Sequence, residues 1–232
     1  MRHDLIRAFK STPKQLGSDL DYIKVEAELS VPCSRLVAYI GFMTKTSRGK
    51  KARIISSEVV YGGPAFTVTA DIVREPSGVQ TRRDIVRHSG SVVVLAVEET
   101  HSGPKILLEH QYRHAAQRYL WELPAGRIDE GEKPLQAAKR ELIEETGYRA
   151  KKWKQILYFF ATPGFVAEPL SLFLAEDLTQ GEAEPEDDEV IHIEMVPLAN
   201  AVKMVIQGKI CDAKTISGVL WLAQQRKNSR PA

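Results

Sequence analysis

Cysteine is scarce in this chain, and long apolar runs are missing from it. The two cysteines, Cys33 and Cys211, have no metal-ligand spacing around them, which excludes a disulfide-rich scaffold and a cysteine-based zinc site. A disulfide between them is one alternative, but we expect two thiols in a reducing compartment. No apolar run reaches the ~18 residues that a membrane span needs, and none follows the N-terminal arginines as a secretory signal requires. The sequence therefore predicts a cytoplasmic protein with no membrane partner.

An excess of charge of one sign is also missing. The chain has 32 lysines and arginines against 30 acidic residues, which gives a net charge of +2. This balance gives no reason to propose nucleic acid as the main partner. Residues 45–53 do form a basic cluster, for which a solvated segment is favoured over a patch that binds nucleic acid or another anion. With 43% hydrophobic and 27% charged residues, the composition is that of a globular chain.

The pattern along the chain divides it into three parts. Residues 1–52 have short apolar groups broken by proline, and we predict an N-terminal extension of uncertain order there. Translation that begins at Met43 is an alternative for this segment. Residues 53–88 contain β-rich stretches between glycine and proline turns, which predict a small antiparallel sheet. Residues 89–228 hold further strands and helices, so the expected fold class is α/β (α+β), with a mixed sheet between helices.

Hydrophobic periodicity and turn residues define the individual elements. Strands are expected near Ile54–Tyr61, Ala65–Arg74, Val79–His88, Ser91–Val97, Lys105–Tyr112, Gln155–Ala161, Leu170–Ala175 and Val190–Val196. Helices are expected at Pro134–Thr146, Pro197–Gln207 and Ala213–Arg226, the last with Asp212 as its N-cap. The apolar stripes of the first and last helix are expected at Leu135, Ala138 and Leu142, and at Ile216, Val219, Leu220 and Leu222.

The chemistry is concentrated on the helix predicted at Pro134–Thr146. Glu141 and Glu145 are four residues apart, so their carboxylates stack on one face and repel each other. A divalent cation would compensate them, and oxygen ligands of this kind suit magnesium. For these glutamates alone, a solvated acidic face supported by Lys139 and Arg140 is the competing interpretation.

The wider pattern around the helix is more specific than the glutamates alone. It consists of Gly126, Glu132, Arg140-Glu141, Glu144-Glu145 and Gly147 at fixed spacing. Identities at a usage of about 7% each would give this pattern by chance in about one chain per million. In these residues the sequence resembles the Nudix hydrolase family. The one departure from that family's signature is Tyr148, which stands where an aliphatic residue is usual and leaves every ligand position intact.

The resemblance implies an α/β/α sandwich and a site for Mg²⁺ or Mn²⁺. Glu141 and Glu145 would be the principal metal ligands, and Glu144 a further ligand through water or a second ion. Arg140 would hold and orient the carboxylates, and Glu132 would support the loop before the helix. The implied reaction is attack of a metal-activated water on a diphosphate linked to a second group.

Segments flanking this pattern resemble the ADP-ribose pyrophosphatase branch of the family. They are residues 109–113, residues 121–126, the Pro163-Gly164 turn and residues 208–216. The branch implies a domain-swapped homodimer through residues 53–88, with Arg113, Glu122 and Pro163 at the substrate and the Ala125 carbonyl as a metal ligand. A surface ion pair of Arg113, an ion pair of Glu122 with Arg118, and an ordinary turn at Pro163 are the alternatives.

The general base is expected on the acidic segment that precedes the last strand. In that segment Glu189 is slightly favoured over Glu186 and Asp187, and Glu168 is a rival outside it. A run of this acidity is also consistent with a solvated loop that takes no part in the chemistry.

The expected activity is hydrolysis of ADP-ribose, a nucleotide sugar, to AMP and ribose 5-phosphate. Two alternatives stay open. One is hydrolysis of another nucleoside diphosphate sugar or of a dinucleotide such as NADH or FAD. The other is a non-catalytic module that senses ADP-ribose.

Overall fold

The computed structural model describes residues 10–15, 21–27, 36–40, 51–183 and 190–228. The strands are β1 (Lys10–Gln15), β2 (Asp21–Ala27), β3 (Leu36–Ile40), β4 (Arg53–Gly62), β5 (Thr67–Arg74), β6 (Gln80–Arg87), β7 (Ser91–Thr100), β8 (Gly103–Arg113), β9 (Arg118–Glu122), β10 (Ala125–Arg127), β11 (Tyr148–Phe160), β12 (Val166–Ala167), β13 (Pro169–Gln180) and β14 (Ile191–Pro197). The helices are α1 (Pro134–Thr146), α2 (Leu198–Ile206) and α3 (Ala213–Asn228), and a short 3-10 turn spans His114–Ala116.

The N-terminal strands form a sheet of their own. β1 pairs with β2, and β2 pairs with β3, both antiparallel. These strands belong to a different compact unit from residues 54–74 and 80–228. Regular structure in this part of the chain was not predicted, because Pro13 lies inside β1 and a proline normally argues against a strand.

A second sheet follows, in the strand order β12-β6-β5-β4. Its strands β5 and β6 pair antiparallel, as predicted, while the two-residue β12 adds parallel to β6. The Asp71 carboxylate is buried in this sheet, accepts a hydrogen bond of 2.6 Å from Ser57 Oγ and pairs with Arg87. The hydrogen bond from Ser57 is the largest cause that lowers the pKa of Asp71, so this carboxylate is charged and stabilises the sheet at neutral pH.

The largest sheet has the path β11-β13-β7-β8-β14, with β9 beside β8 and β10 beside β7. It is mixed, because β7 is parallel to β13 and antiparallel to β8. Val92 to Val97 in β7 are at most 1% exposed, which confirms the predicted strand buried on both faces. Alternate residues of β7 pack against α1 on one face and against α2 and α3 on the other. This arrangement confirms the α/β/α sandwich.

Several local predictions were wrong in detail. The short strands β9 and β10 were missed, and β11 begins at Tyr148, directly after the helix, rather than near Gln155. On α1, Leu135 is 38% exposed and Ala137 takes its place in the core. On α3, Leu220 is 41% exposed, while Val219 and Leu222 are buried. In both helices the buried stripe is narrower than the apolar stripe of the sequence, because the sheet covers only one side of each helix.

Helix α3 begins where the sequence predicts. Asp212 Oδ2 accepts the backbone N–H of Thr215 at 2.9 Å, which confirms the predicted N-cap of α3. Cys211 is a free, exposed thiol, and Cys33 lies outside the described residues. In the described ranges no helix is long and apolar enough to cross a membrane.

Candidate active site

Helix α1 is held in place by its two ends and by its apolar face. At its start, the Lys133 N–H donates to Gln136 Oε1 at 3.3 Å. Gly147 ends the helix with φ +73°, a conformation that favours glycine, and its N–H donates to the Ile143 carbonyl at 2.7 Å. Ala138 and Leu142 are fully buried against β7. The helix is therefore a rigid support for the glutamates beside this buried face.

The glutamates of α1 contact the backbone of β10 at very short range. A Cβ added to Gly126 would lie 2.0 Å from the Cδ atom of Glu141, so any side chain at this position would displace that carboxylate. The Ala125 N–H donates to Glu145 Oε2 at 3.0 Å, and Glu145 is 6% exposed. The glycine of the sequence pattern is thus required by the space that the Glu141 carboxylate occupies.

Arg140 is the centre of the ion pairs around α1. Its guanidinium donates to both carboxylate oxygens of Glu132 at 3.1 and 2.9 Å. Nη1 donates to Glu141 Oε1 at 2.8 Å and to Glu144 Oε2 at 2.9 Å, and Nη2 donates to the Arg127 carbonyl at 3.0 Å. The hydrogen bond with Glu132 is the largest cause that raises the pKa of Arg140, and the same contact lowers the pKa of Glu132. Arg140 and Glu132 are therefore both charged at neutral pH.

The donor set at this place suits a hard divalent cation. Among the described residues, no three acidic, histidine or cysteine side chains are already arranged as a metal cage. Glu141, Glu144 and Glu145 nevertheless line one cleft together with Ala125, and every ligand they offer is oxygen. Gly126 leaves no side chain between them and the backbone carbonyls of β10. Oxygen ligands of this kind fit Mg²⁺ or Mn²⁺ better than softer metals.

The cleft has two lobes with one common wall. The acidic lobe, with a cavity volume of about 490 Å³, is lined by Asp129, Arg140, Glu141, Glu144 and Glu145. The small lobe, of about 310 Å³, is lined by Ser91, Ala161, Glu168, Asp212 and Lys214. The common wall consists of His88, Arg113, Ala125, Gly126 and Arg127. Two arginines, Arg113 and Arg127, therefore lie on the wall where the lobes meet, which favours an anionic ligand across the junction.

A buried carboxylate positions one of these guanidinium groups. Arg113 Nε and Nη2 donate to the two carboxylate oxygens of Glu122, each at 3.0 Å, and the Glu122 side chain is 2% exposed. Lys214 also pairs with Glu122 and with Asp212 Oδ1, at 3.0 Å for the latter. Burial alone raises the pKa of Glu122, but the hydrogen bonds from Arg113 and the charge of Lys214 outweigh it and lower the pKa. The suggested ion pair of Glu122 with Arg118 is wrong, because Arg113 takes that place.

The structure brings some of the predicted site residues into the cleft and leaves others out. Arg113, Ala125, Arg140, Glu141, Glu144 and Glu145 all line it. Glu122 lies beneath Arg113, and Pro163 is not among the lining residues, although Ala161 from the same loop is. Glu168 lines the small lobe and accepts a hydrogen bond of 2.6 Å from Ser91 Oγ. Glu186, Asp187 and Glu189 lie outside the described residues.

Sequence reasoning missed several polar residues of the cleft. His88, Arg127 and Lys214 line it, although none was singled out. Arg127 directly follows the glycine of the pattern, and Lys214 lies in the flanking segment that precedes the last helix, so position alone was an available signal for both. His88 had no such signal, because it follows a strand that was assigned to a separate sheet.

The fold and the site together define a class: an α/β/α sandwich whose glutamate-rich helix packs on a glycine-containing strand. The NUDIX domain model matches residues 87–217, which is more than half of the chain. The protein therefore belongs to the Nudix family, and within that family it resembles the ADP-ribose pyrophosphatases. Nudix hydrolases generally use divalent metal ions.

Individual relatives agree with this assignment. The chain is 41% identical over 108 residues to the ADP-ribose pyrophosphatase of Bacillus subtilis (strain 168), covering 46% of this chain and 58% of that protein. It is 37% identical over 170 residues to the ADP-ribose pyrophosphatase of Mycobacterium tuberculosis (strain H37Rv), covering 72% of this chain and 80% of that protein. The crystal structure of an ADP compounds hydrolase superposes with a TM-score of 0.67 at 23% identity, over 77% of this chain and 96% of the other, and shows the shared fold.

The contact between Gly126 and Glu141 leads to a prediction. The variant Gly126→Ala should lose hydrolase activity by about 100-fold or more, because its new Cβ must displace the Glu141 carboxylate. The free energy of unfolding should change little, since the displaced atoms are the far end of a flexible side chain. Steady-state kinetics and urea unfolding measure the two quantities. Gly62→Ala is the matched control, because nothing lies within 4 Å of a Cβ there. Full activity of Gly126→Ala would show that the position of Glu141 does not matter.

Proposed function

We propose that this protein hydrolyses the pyrophosphate bond of ADP-ribose to AMP and ribose 5-phosphate with the aid of Mg²⁺ or Mn²⁺. The observation that carries the proposal is the pair of lobes that meet at a wall containing Arg113 and Arg127. An acidic lobe suits metal ions, and a smaller polar lobe beside it has room for a sugar. The names of the two relatives, both ADP-ribose pyrophosphatases, support ADP-ribose as the substrate.

Four groups would hold the metal ions. They are the Ala125 carbonyl and the carboxylates of Glu141, Glu144 and Glu145, all of which border the acidic lobe. When bound, the ions neutralise phosphate oxygens and lower the pKa of a bound water. Arg140 keeps Glu141 and Glu144 oriented through its shared Nη1. Glu132 in turn fixes the plane of the Arg140 guanidinium by a two-point contact.

Substrate binding would rest on the common wall of the lobes. Arg113 presents a guanidinium that Glu122 holds from below by two hydrogen bonds, so its orientation is set before the ligand arrives. A phosphate or the terminal ribose is its expected partner. Pro163, in the loop that also supplies Ala161 to the small lobe, would act by shaping that loop around the sugar.

We propose Glu189 as the general base, with Glu186 as the next choice. Glu168 is the rival, and its place on the wall of the small lobe supports it. Its Oε1 already accepts a hydrogen bond of 2.6 Å from Ser91 Oγ, so only Oε2 is left to accept a proton from water. Comparing Glu168→Gln with Glu189→Gln separates the two, because the variant that removes the base loses kcat while substrate affinity is kept.

We also propose a homodimer through residues 53–88 as a dimerisation subdomain, separate from an extension at 1–52 and a hydrolase domain at 89–228. β4 lies at the edge of its sheet, and every residue of it is exposed. Ile54 is 54% and Val59 is 64% exposed, an apolar surface that a second copy would cover. Sedimentation equilibrium should give twice the chain mass of 26.0 kDa. A monomer at all concentrations would remove the dimer from the proposal.

The substrate is tested by a panel assay. ADP-ribose, ADP-glucose, GDP-mannose, NADH and FAD are incubated separately with the protein and Mg²⁺, and phosphomonoester products are measured after coupling to a phosphatase. ADP-ribose should have the highest kcat/KM. If another nucleoside diphosphate sugar or a dinucleotide is preferred, the Nudix chemistry stands and the substrate assignment is wrong. If nothing in the panel turns over while ADP-ribose still binds, the protein is a sensing module.

A further inference from the structure

His88 occupies a position in the cleft that the proposed mechanism has not used. It directly follows β6 and lines both lobes, and its side chain is only 17% exposed. Arg113 and Arg127 lie on the same common wall. Buried polar groups are usually hydrogen-bonded. We therefore expect the exposed edge of the mostly buried His88 ring to have a hydrogen-bonding partner in the cleft.

The backbone that carries His88 is tied to the active-site loop. Gly90 has φ +104°, and a Cβ there would lie 3.1 Å from Pro169 Cγ, so this tight link needs glycine. The Gly90 carbonyl accepts the N–H of Ile128 at 3.0 Å, and Ser89 Oγ donates to the Ile128 carbonyl at 2.8 Å. These two bonds attach the backbone at Ser89 and Gly90 to Ile128, the residue that follows β10. The His88 ring therefore keeps a fixed position relative to helix α1.

The hydrogen bonds of the ring determine where its proton lies. The Gly90 N–H donates to His88 Nδ1 at 3.0 Å, so Nδ1 is an acceptor and the neutral ring carries its hydrogen on Nε2. Glu168 Oε1 is 3.8 Å from Nδ1, too far for a hydrogen bond, and accepts instead from Ser91 Oγ at 2.6 Å. Within the described part of the chain, no protein atom accepts the Nε2 hydrogen, so it is available to a ligand.

We propose that His88 is a substrate-binding residue whose Nε2–H donates a hydrogen bond to a phosphate oxygen of the diphosphate where the two lobes meet. The inference rests on the proposed function for the site, but it needs only a diphosphate and not a particular sugar. An Nε2–H donor on the same wall as Arg113 and Arg127 adds a directional hydrogen bond to their positive charges, because this N–H lies in the plane of the ring. The Gly90 N–H sets this direction in advance, which lowers the entropic cost of binding.

Three substitutions of His88 test the donor. His88→Phe keeps the ring and removes the hydrogen bond, and it should lower kcat/KM by about 10- to 100-fold, the usual effect of losing a bond to a charged group. His88→Gln places an amide N–H close to the position of Nε2 and should recover most of the loss. His88→Asn retains a polar side chain, but its amide reaches only the position of Nδ1. This variant should therefore lose as much activity as His88→Phe. It takes the place of His88→Phe in the test if the phenylalanine variant fails to fold. His101→Gln, at an exposed hairpin turn, is the control and should match wild type.

A binding measurement separates this inference from the choice of substrate. Calorimetry with inorganic pyrophosphate and Mg²⁺ should show the dissociation constant rising in the phenylalanine and asparagine variants by about the same 10- to 100-fold factor, and recovering in the glutamine variant. This readout remains valid even if ADP-ribose proves not to be the substrate, in which case only the substrate assignment fails. Wild-type affinity in the phenylalanine and asparagine variants, or a glutamine variant as weak as they are, would overturn the role of His88.

Discussion

Replacing Glu145 by glutamine is expected to lower kcat by about 1000-fold, which corresponds to about 4 kcal/mol of lost transition-state stabilisation. Glutamine has the same shape, so its amide oxygen can still accept the Ala125 N–H that Glu145 Oε2 accepts at 3.0 Å. What disappears is the negative charge of a carboxylate that is only 6% exposed and lines the acidic lobe. The melting temperature should therefore stay near that of wild type while turnover falls.

Glu194→Gln is the control for this experiment, because Glu194 is exposed on β14 and lines neither lobe. It should keep full activity. Steady-state kinetics at saturating Mg²⁺ measures kcat, and a titration with Mg²⁺ measures the apparent metal affinity, which should weaken only in Glu145→Gln. Wild-type turnover in Glu145→Gln would rule out the metal role that we assign to this residue.

Replacing Glu122 by glutamine is expected to lower the free energy of unfolding by about 2 to 3 kcal/mol. Removing one partner of a buried ion pair usually costs about 3 to 5 kcal/mol. We expect less here because the Arg113 side chain is 37% exposed and water screens part of its charge, whereas the Lys214 side chain is only 16% exposed. Urea unfolding measures the change. Activity should also fall, because Arg113 loses the contact that orients it.

The control for Glu122→Gln is the same substitution in an exposed ion pair. Glu99 pairs with Arg226, and the two side chains are 53% and 40% exposed. Glu99→Gln should change the free energy of unfolding by less than about 1 kcal/mol. An equal effect of the two substitutions would show that burial of the Glu122 carboxylate adds nothing to the strength of its ion pairs.

The lowered pKa of Glu122 also predicts how the stability difference between wild type and Glu122→Gln depends on pH. Burial raises this pKa, but the contacts with Arg113 and Lys214 outweigh burial and bring it below the ordinary value of 4.5. A carboxylate whose pKa is lower in the folded state stabilises the protein above the ordinary pKa, and this contribution is lost as the pH falls through the folded pKa. The stability difference between wild type and Glu122→Gln should therefore be full at neutral pH and shrink as the pH falls below about 4.5. A difference that does not change with pH would contradict the assignment.

The features that could be predicted from the sequence are those that depend on residues close together in the chain. Helix α1 has a proline at its start and a left-handed glycine after its end, and both positions were read from local rules. The buried strand β7 was evident from its continuous valines. The residues of the catalytic pattern were recognised for a similar reason, since all of them lie in one continuous segment.

What escaped prediction depends on contacts between distant segments. Arg113 comes within reach of Glu122 because β8 and β9 form a hairpin, in which Arg113 lies opposite Arg118 and Glu122 opposite Glu109, and β9 was not predicted. Lys214 reaches Glu122 only through packing of α3, and no local pattern encodes that distance. The role of His88 depends on a backbone bond from Gly90 and on two lobes that exist only in the folded chain. Local propensity carries no information on such contacts.

The most direct test of the central claim is hydrolysis of ADP-ribose by the wild-type protein with and without a divalent metal. The protein is first freed of metal with a chelator and then supplied with Mg²⁺ or Mn²⁺, and the products are separated by anion-exchange chromatography. The account predicts no turnover without metal, and AMP and ribose 5-phosphate in equal amounts when either ion is added. Turnover that is equally fast in excess chelator, or intact ADP-ribose in the presence of both ions, would contradict it.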